Sequence, residues 1–402
     1  MFAMSVKGTV PHRKGEAEIL KKSFTVACAF CKDYSPETVG KALVEIIANS
    51  GGMPSTGKHV LLKPNLLSPR PPEDAVTTHP AVVRMTAGLV KDMVPQARIR
   101  IADNPGYIYT DQQDDLFRRT GMTAMQEEGL AEVKLLSADG YTAVKPPHAA
   151  ALESARVASS WLSADSIINI AKLKTHVETE ITASIKNTFG IADRTTRMSA
   201  HGARKMGHLQ RAVVDLFNIR QPDLNILDAV ICMEGNGPSR GTPRFAGWLL
   251  ASRNALALDV VAACMMGYDK PFSVPLLREA SNRGYGPQSL EDIRIIGAHL
   301  EDLRVPSFRR ATSAIVNIPE QLRGLGHRML SLYPELVPEK CTSCGICREV
   351  CPVQAITIVQ IPEIDRKRCV KCLCCHEMCP EGAMTVRENT LLKIFRKMQC
   401  PR

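Results

Sequence analysis

The sequence lacks the long apolar segments that membrane-spanning and exported chains carry. No run of about 18 apolar residues is free of charged side chains, so no membrane-spanning helix is predicted. The opening stretch, MFAMSVKGTVPHRKGEAEILKK, also lacks the apolar core that a secretion signal needs. We therefore expect a cytoplasmic protein, in a compartment where thiols stay reduced.

Aromatic residues are scarce, at 5% of the 402 residues, and this weakens one class of function. The formal net charge of +10 suggests anionic partners, among them nucleic acids and small phosphates or carboxylates. Nucleic-acid binding ranks last, because aromatics are few, no known reader motif is present and the basic residues are spread along the chain. An anionic small molecule is the partner that the charge favours.

Cysteine is rare over most of the chain and crowded at its end. Ten of the 14 cysteines lie between Cys341 and Cys400. Such crowding in a reducing compartment indicates metal binding and argues against disulfides. The four remaining cysteines are scattered through predicted core elements and are expected to be core thiols: Cys28, Cys31, Cys232 and Cys264.

Two of the C-terminal runs share one spacing. Residues 341–352 read CTSCGICREVCP and residues 369–380 read CVKCLCCHEMCP, and each contains C-x2-C-x2-C-x3-C-P. Four-cysteine zinc sites use two CxxC pairs with a longer gap and have no use for the trailing Cys-Pro, so zinc is the weaker alternative. Cys374 is out of phase with this spacing and is expected to be a buried filler, or otherwise a hydrogen-bonding neighbour of a ligand.

The doubled run resembles the bacterial two-cluster ferredoxin. In that pattern three close thiolates hold one 4Fe-4S cube, and the fourth cysteine, before the proline, binds the other cube. The resemblance implies two 4Fe-4S clusters with interleaved ligands. One cluster is expected on Cys341, Cys344, Cys347 and Cys379, and the other on Cys351, Cys369, Cys372 and Cys375.

Upstream of the cysteines, β-branched apolar runs alternate with helical patterns. This alternation predicts an α/β fold with a mostly parallel sheet covered by helices, followed by a small C-terminal α+β two-cluster ferredoxin-like domain. Strands are predicted at 59–67, 97–103, 131–137, 165–174, 224–233, 248–252 and 292–297, and helices at 77–93 and 255–267. The predicted domains are an N-terminal tail (1–23), the α/β domain (24–300), a connector (301–335), the ferredoxin-like domain (336–388) and a basic C-terminal tail (389–402).

The segment NIAKLKTHVETEITASIKNTFGIADR (169–194) is the most informative one outside the cysteines. An apolar strand leads into lysines, a threonine and a histidine, and a helix-compatible segment follows. We expect ligands at the carboxyl end of this strand, with a helix N-terminus offering free N–H groups to an anion. A solvated basic face is the alternative, but interleaved Thr, His and Asn residues favour a binding site.

Two other strand ends carry polar residues. VLLKPNLLSP (60–69) ends on a lysine and an asparagine, and ILDAVICMEGNGPSRG (226–241) ends on an acidic and glycine-rich loop. The glycine spacing is one residue too long for a dinucleotide fingerprint, so a flavin is a possible cofactor that no motif supports. The expected catalytic residues are His176 and Lys186. The expected substrate-binding residues are Lys63, Asn65, Lys172, Lys174, Thr175, Asn187, Asp228, Gly235 and Asn236.

The motifs KPN, KLKTH…KN and EGNGP resemble those of the family catalogued as domain of unknown function 362, over roughly residues 24–300. Members of that family frequently carry a C-terminal two-cluster ferredoxin module. The resemblance implies a redox-associated protein, and it implies that the lysines and asparagines of these motifs, with His176, form one site. It does not identify a substrate.

Two functions are consistent with this pattern. The first is an iron–sulfur oxidoreductase that relays electrons through two clusters to an anionic substrate or cofactor in the α/β cleft. The second is a ferredoxin-type carrier or assembly protein whose α/β domain docks a partner protein. Both require a redox partner protein as electron donor or acceptor.

Overall fold

A computed structural model describes residues 24–54, 57–205, 207–315 and 332–389. The predicted N-terminal tail (1–23), much of the predicted connector (316–331) and nearly all of the predicted C-terminal tail (390–402) lie outside the described residues. Within the described ranges no helix is both long and apolar enough to cross a bilayer.

A nine-stranded sheet forms the centre of the large domain. Its strands are β1 (Phe24–Phe30), β2 (His59–Pro64), β3 (Arg98–Asp103), β4 (Glu132–Leu135), β7 (Ser166–His176), β8 (Glu180–Thr182), β9 (Leu224–Glu234), β10 (Thr242–Ser252) and β11 (Ile293–Ile296). A separate hairpin joins β5 (Tyr141–Val144) to β6 (Ala155–Ala158).

The strand order is β11-β1-β10-β9-β7-β2-β3-β4, with β8 paired to β7. The pairings β1–β11, β2–β3, β2–β7, β3–β4 and β7–β9 are parallel, whereas β10 runs antiparallel to both neighbours and β8 runs antiparallel to β7. The mostly parallel sheet is therefore confirmed. Every predicted strand is present, and β10 begins earlier than predicted.

Helices cover both faces of the sheet, as predicted. The helices of the large domain are α1 (Pro36–Asn49), α2 (Pro80–Met93), α3 (Gln113–Arg119), α4 (Thr123–Glu127), α5 (Ser159–Ser163), α6 (Ser184–Asn187), α7 (Arg194–Gly202), α8 (His208–Ile219), α9 (Ala255–Met265), α10 (Pro275–Asn282) and α11 (Leu300–Leu303). Short 3-10 turns occupy Pro72–Asp74, Tyr107–Gln112, Leu136–Asp139, Thr188–Ile191, Pro271–Ser273, Leu290–Asp292 and Thr312–Ile315.

Two apolar clusters, one on each side of the sheet, make the core. On one side α8 and the wholly buried α9 pack on the sheet, and on the other α1 and α2 do. Helix α1 shows how the sequence encodes such an element. Ser35 caps its first turn, Pro36 follows at the first helical position, and Val39, Leu43 and Ile46 share the buried face.

The helix predicted after His176 is wrong. The chain turns back as the β7–β8 hairpin, in which Lys174 pairs with Thr182, and only then forms the four-residue helix α6. The N-terminus of α6 is not free for a ligand either, because Ser184 N and Ile185 N donate to the Asp259 carboxylate at 2.7 and 2.9 Å.

The C-terminal residues 332–389, which we call the cysteine module, form a small α+β unit. Strand β12 (Leu332–Leu336) pairs with β15 (Met384–Glu388), and β13 (Ile356–Ile358) pairs with β14 (Pro362–Ile364), both antiparallel. A 3-10 turn occupies Pro338–Lys340, and the two short helices are α12 (Ile346–Glu349) and α13 (Cys374–Met378). The predicted small α+β domain is thus confirmed.

Candidate functional site

A cleft lies where the carboxyl ends of β2, β3 and β7 meet the cysteine module. Its empty volume is about 730 Å³, part of it open to solvent. Carboxyl ends of parallel strands are the usual place for ligands in α/β sheets. The residues of the large domain that line it include Asn65, Asn104, Tyr107, Lys174, His176, Thr182, Lys186, Asn187, Arg197 and His201, and the module contributes Cys374, Glu377 and Met378.

Lys174 contributes an amine held by neutral partners. Its Nζ donates to Asn65 Oδ1 at 2.9 Å and to the Val76 carbonyl at 2.7 Å. Burial lowers the pKa of Lys174 to about 7, with Glu377 opposing that shift. The group therefore changes charge near neutral pH, which makes it a candidate for binding or proton transfer.

Lys186 offers a cation that is not paired with a carboxylate. Its Nζ lies 4.3 Å from the centre of the Phe189 ring, a cation–π contact. Among the described contacts no hydrogen-bond acceptor or carboxylate lies within bonding distance of Nζ. Burial lowers the pKa of this lysine, and Glu377 is the strongest group acting against the shift. An anion entering the cleft would find this ammonium available.

His176 faces the cleft with one nitrogen only. Its Nδ1 accepts from Glu178 N at 3.0 Å and from Thr179 N at 3.3 Å, so the neutral ring carries its proton on Nε2. Nε2 lies 3.8 Å from Glu377 Oε2. Burial, with Lys186 next in effect, holds the pKa of His176 well below its usual value. The ring is thus a neutral hydrogen-bond donor to the cleft.

A buried network supports these groups from behind. Lys63 Nζ donates to Asp103 Oδ1 at 2.6 Å, and the other Asp103 oxygen accepts from Leu66 N at 2.7 Å. Asn187 Oδ1 accepts from Asn65 Nδ2 at 2.9 Å, and Asn187 Nδ2 donates to Asn169. The network fixes the orientation of the two asparagines at the cleft.

Three polar atoms on cleft residues are buried and have no hydrogen-bond partner among the described residues. They are Thr182 Oγ1, Tyr107 Oη and Arg197 Nε. The Arg197 side chain is otherwise anchored, since Nη1 donates to the Pro105 carbonyl at 2.8 Å. Leaving a buried polar atom unpaired costs about 1–3 kcal/mol, so such atoms indicate a place where a ligand or water binds.

The cysteine module closes the cleft with Glu377 and Cys374, two residues that the sequence analysis did not assign to it. The Glu377 side chain is 14% exposed and faces His176 and the two lysines. Cys374, expected to be a filler, is buried and lies in the wall of the cleft. Both residues lie within a run of predicted metal ligands, and for this reason their contact with the cleft was not recognised from the sequence. Arg197 was also missed, although RTTRMSAH places it four residues before His201 on helix α7.

Two predicted binding residues form a buried pair away from the cleft. Lys172 Nζ donates to Asp228 Oδ2 at 2.9 Å and to Tyr34 Oη at 3.0 Å, and neither charged side chain is exposed. The second Asp228 oxygen accepts from the Tyr34 hydroxyl at 2.7 Å. With all partners supplied from within the protein, this group stabilises the strand ends and does not line the cleft.

The remaining predicted residues, Thr175 at the end of β7 and Gly235 and Asn236 in the glycine-rich loop, make contacts that hold this loop in place. Thr175 Oγ1 accepts from Gly237 N at 3.2 Å, Gly235 N donates to the Arg309 carbonyl, and Asn236 Oδ1 accepts from Thr312. The same loop reaches the cysteine module: Ser239 Oγ donates to the Glu377 carbonyl at 2.5 Å, and Arg240 donates to the Cys379 carbonyl. The loop therefore docks the module.

The cysteines of the module line two cavities. The one that we call the outer cavity, of about 320 Å³, is lined by Cys341, Cys344, Cys347 and Cys379. The inner cavity, of about 310 Å³, is lined by Cys351, Cys369, Cys372 and Cys375, with Cys374. These are the two interleaved sets expected from the spacing.

The cavities suit a cube of four irons better than a single ion. Within the described residues no three His, Cys, Asp or Glu side chains converge on one metal position. A 4Fe-4S cluster binds each thiolate to a different iron, so its ligands surround a cavity and share no common point. The described cysteines are free thiols, which is the form that iron binds after deprotonation.

Comparison with known proteins identifies the two parts of the chain. Residues 60–264, just over half of the chain, match the family described as domain of unknown function (DUF362). The chain belongs to the DUF362 family. Residues 334–357 match the 4Fe-4S binding domain. This DUF362 protein is therefore an iron–sulfur protein, and the module is of a kind that transfers electrons. The second cysteine run lies beyond the matched residues.

A curated relative of this DUF362 protein is the thylakoid-associated protein sll1697 of Synechocystis sp. The two are 28% identical over 266 residues, which is 62% of this chain and 76% of the relative. That relative is described by its association with thylakoids, and the cytoplasmic location expected for this chain stays a prediction.

Solved structures give weaker similarity. The lactate racemase apoprotein of Thermoanaerobacterium thermosaccharolyticum is 10% identical with a TM-score of 0.37, covering 58% of this chain and 55% of that one. A protein from Thermotoga maritima is 13% identical with a TM-score of 0.35, covering 53% of this chain and 54% of that one. The DUF362 chain thus spans little more than half of each.

Proposed function

We propose that this protein is an iron–sulfur oxidoreductase that passes electrons from two 4Fe-4S clusters to an anionic acceptor bound in the cleft. The carrying observation is that one cleft has Lys174, Lys186 and Arg197 on one side and the cysteine module on the other. A carrier with no substrate has no need for this arrangement. The boundaries of the α/β domain, connector and module set out above are part of the proposal.

The charges in the cleft support an anionic acceptor. Lys186 has a free ammonium, Arg197 has an unpaired Nε, and Thr182 and Tyr107 add hydroxyls without partners in the described chain. Among the described residues that line the cleft, Glu377 alone brings a carboxylate that is not paired with a cation. A carboxylate or phosphate group satisfies more of these donors than a neutral group does.

The two clusters would be held by the cysteines of the outer and inner cavities. When bound, they supply single electrons at low potential. The residues of the chain do the rest. Lys174, Asn65 and Asn187 orient the acceptor, Lys186 delivers a proton as negative charge builds on it, and the Nε2–H of His176 stabilises that charge by a hydrogen bond. A two-electron acceptor takes two electrons and two protons, and a low-potential one-electron carrier protein is the donor that is oxidised.

The test has two parts on anaerobically prepared full-length protein. Two clusters require about eight irons per chain, and acid-labile sulfide should match. Sulfate, a tetrahedral dianion of constant charge, should bind in calorimetry, and the Lys186→Gln change should weaken it about tenfold through the loss of one charge-assisted hydrogen bond of about 1.5 kcal/mol. The reduced protein should be reoxidised by at least one acceptor in a panel of carboxylates, phosphates and flavins.

The matched control is Lys41→Gln, which neutralises an exposed lysine on helix α1 far from the cleft. It should leave sulfate affinity unchanged. Equal effects of the two substitutions would show that sulfate responds only to net charge and would contradict the cleft site. If reoxidation never occurs but a partner protein binds through the large domain, the docking role is correct instead.

A further inference from the structure

The two cysteine cavities differ in what they face. In the outer cavity Cys344 is exposed and Cys341 and Cys379 are partly exposed. Cys347, also in the outer cavity, is buried. In the inner cavity Cys351 and Cys375 are buried, and Cys369 and Cys372 are partly exposed. Among the described residues, none that lines the outer cavity also lines the cleft. The outer cavity therefore has the most exposed cysteine of the two sets, and it does not adjoin the cleft.

One side chain belongs to both the inner cavity and the cleft, and it is Cys374. Its thiol is close to the sulfur of Cys372, one of the four cysteines of the inner cavity. The spacing of the run leaves Cys374 outside the ligand set. On its other side it is near the charge of Lys186, the free cation of the cleft. The wall between cluster cavity and cleft is thus one residue thick at this point.

Building on the proposed function, we propose that Cys374 is the contact through which the inner cavity and the cleft communicate, so that electrons enter at the outer cluster and leave from the inner one. Each electron comes from a low-potential one-electron carrier protein, which is oxidised. The acceptor in the cleft is reduced by two electrons in succession and takes up two protons. Cys374 forms no bond to iron or acceptor in this scheme and acts as a positioning residue.

The contact has an electrostatic consequence that can be measured. With the cluster bound, we expect the Cys374 thiol to donate to the ligating sulfur of Cys372, which stabilises the more negative, reduced cluster and raises its reduction potential. An anion in the cleft, just beyond Cys374, acts the other way and lowers the same potential. By reciprocity, reduction of that cluster weakens anion binding by the same factor.

The experiment is a redox titration of the anaerobic full-length protein, followed by electron paramagnetic resonance. Two one-electron waves are expected. The Cys344→Ser change assigns them, because it alters or abolishes the signal of the outer cluster only. Cys374→Ala should then move the other wave to lower potential, and Cys374→Ser, which keeps a donor, should leave it near its original position. Sulfate added to the unaltered protein should move that same wave down.

The possible results distinguish the proposed electron route past Cys374 from the proposed oxidoreductase function. A shift of the outer wave, or no shift of either wave with both Cys374→Ala and sulfate, overturns the assignment of Cys374. The sulfate arm needs no substitution, so it decides the matter even if Cys374→Ala fails to fold. Fewer than two clusters per chain overturns the proposed function itself, and that is known from the iron content before any potential is measured.

Discussion

Two lysines of strand β7 show that the role of a residue depends on the side chains that surround it. Lys172 and Lys174 are two positions apart and both look like binding residues in the sequence. In the structure Lys172 is opposite Asp228 in the parallel pairing of β7 with β9, and the two form a closed ion pair. Lys174 meets only neutral acceptors and faces the cleft. Spacing predicts that the two share a face, but the partner comes from another strand, which spacing does not reveal.

At the same scale, anion binding should depend on pH through Lys174. Burial lowers the pKa of this amine to about 7, so it carries a charge below that pH and loses it above. Sulfate affinity should therefore fall about tenfold as pH rises from about 6 to about 8, because one charge-assisted hydrogen bond is lost. Calorimetry with sulfate measures this.

Other ionisable groups of the cleft also affect sulfate binding, so their effects on the pH profile must be distinguished from that of Lys174. The pKa of Lys186 is also lowered by burial, while that of His201, despite burial, is raised by Glu178. The pKa of His176 is too low for it to change charge in this range. A Lys174→Met variant should bind sulfate weakly, with a flatter profile. A profile as steep as that of the unaltered protein would assign the effect to another group.

At the scale of elements, β8 was one of four unpredicted strands of the large domain, and it was missed because two patterns coexist in the same residues. Thr179, Thr182 and Lys186 have helical spacing, and this favoured a helix. The segment Val177–Thr182 is also rich in β-branched residues, which favour strands. Pairing with β7 decides the outcome, since a three-residue strand gains its stability from its neighbour.

The glycine-rich loop approaches the end of β7 so closely that a side chain at Gly237 should destabilise the protein. A Cβ on Gly237 would lie 2.2 Å from the Thr175 carbonyl oxygen at the end of β7. Gly237→Ala should therefore destabilise the protein by about 1–3 kcal/mol in denaturant unfolding, as overpacking does. It should also speed hydrogen exchange where the loop holds the cysteine module, at residues 377–379.

Gly88 supplies the matched control. It lies inside helix α2, and a Cβ there would meet nothing within 4 Å. Gly88→Ala should be neutral or stabilising by about 0.5–1 kcal/mol, because alanine loses less conformational freedom in a helix. If both substitutions destabilise alike, the close approach of the loop to β7 is not the cause.

At the scale of the whole molecule, the sequence predicts the parts better than their assembly. The layered α/β domain follows from periodicity, and the interleaved cysteine sets follow from the resemblance of the two runs to two-cluster ferredoxins. The cleft does not, because its walls come from segments far apart in the chain. Glu377 and Arg197 meet there because the module docks over the ends of the strands, through the Ser239–Arg240 loop and through contacts from Arg194 and Arg204.

Iron should support the module and leave the large domain unaffected. Four of the nine buried side chains in the core of the module are cysteines, namely Cys347, Cys351, Cys374 and Cys375. So small a unit needs a metal to stay folded. The large domain has two extensive apolar clusters of its own. Chelation should therefore raise hydrogen exchange in β12 and β15 and leave β7 and β9 protected.

Hydrogen exchange measured by mass spectrometry, with and without a chelator, tests this. The strands of the large domain serve as the internal control. Protection that is lost equally in both parts would mean that the chain unfolds as one unit. Unchanged protection in β12 and β15 would mean that the apolar residues of the module suffice without metal.

Under the proposed function, the wall that carries Glu377 and Cys374 is complete only when the module has its clusters, so cluster insertion and acceptor binding depend on each other. In a newly made copy without clusters, the lysines of the cleft would be open to solvent on the side that the module now covers. Such a copy would bind the proposed acceptor weakly. The proposed acceptor would then be bound mainly by copies that can reduce it.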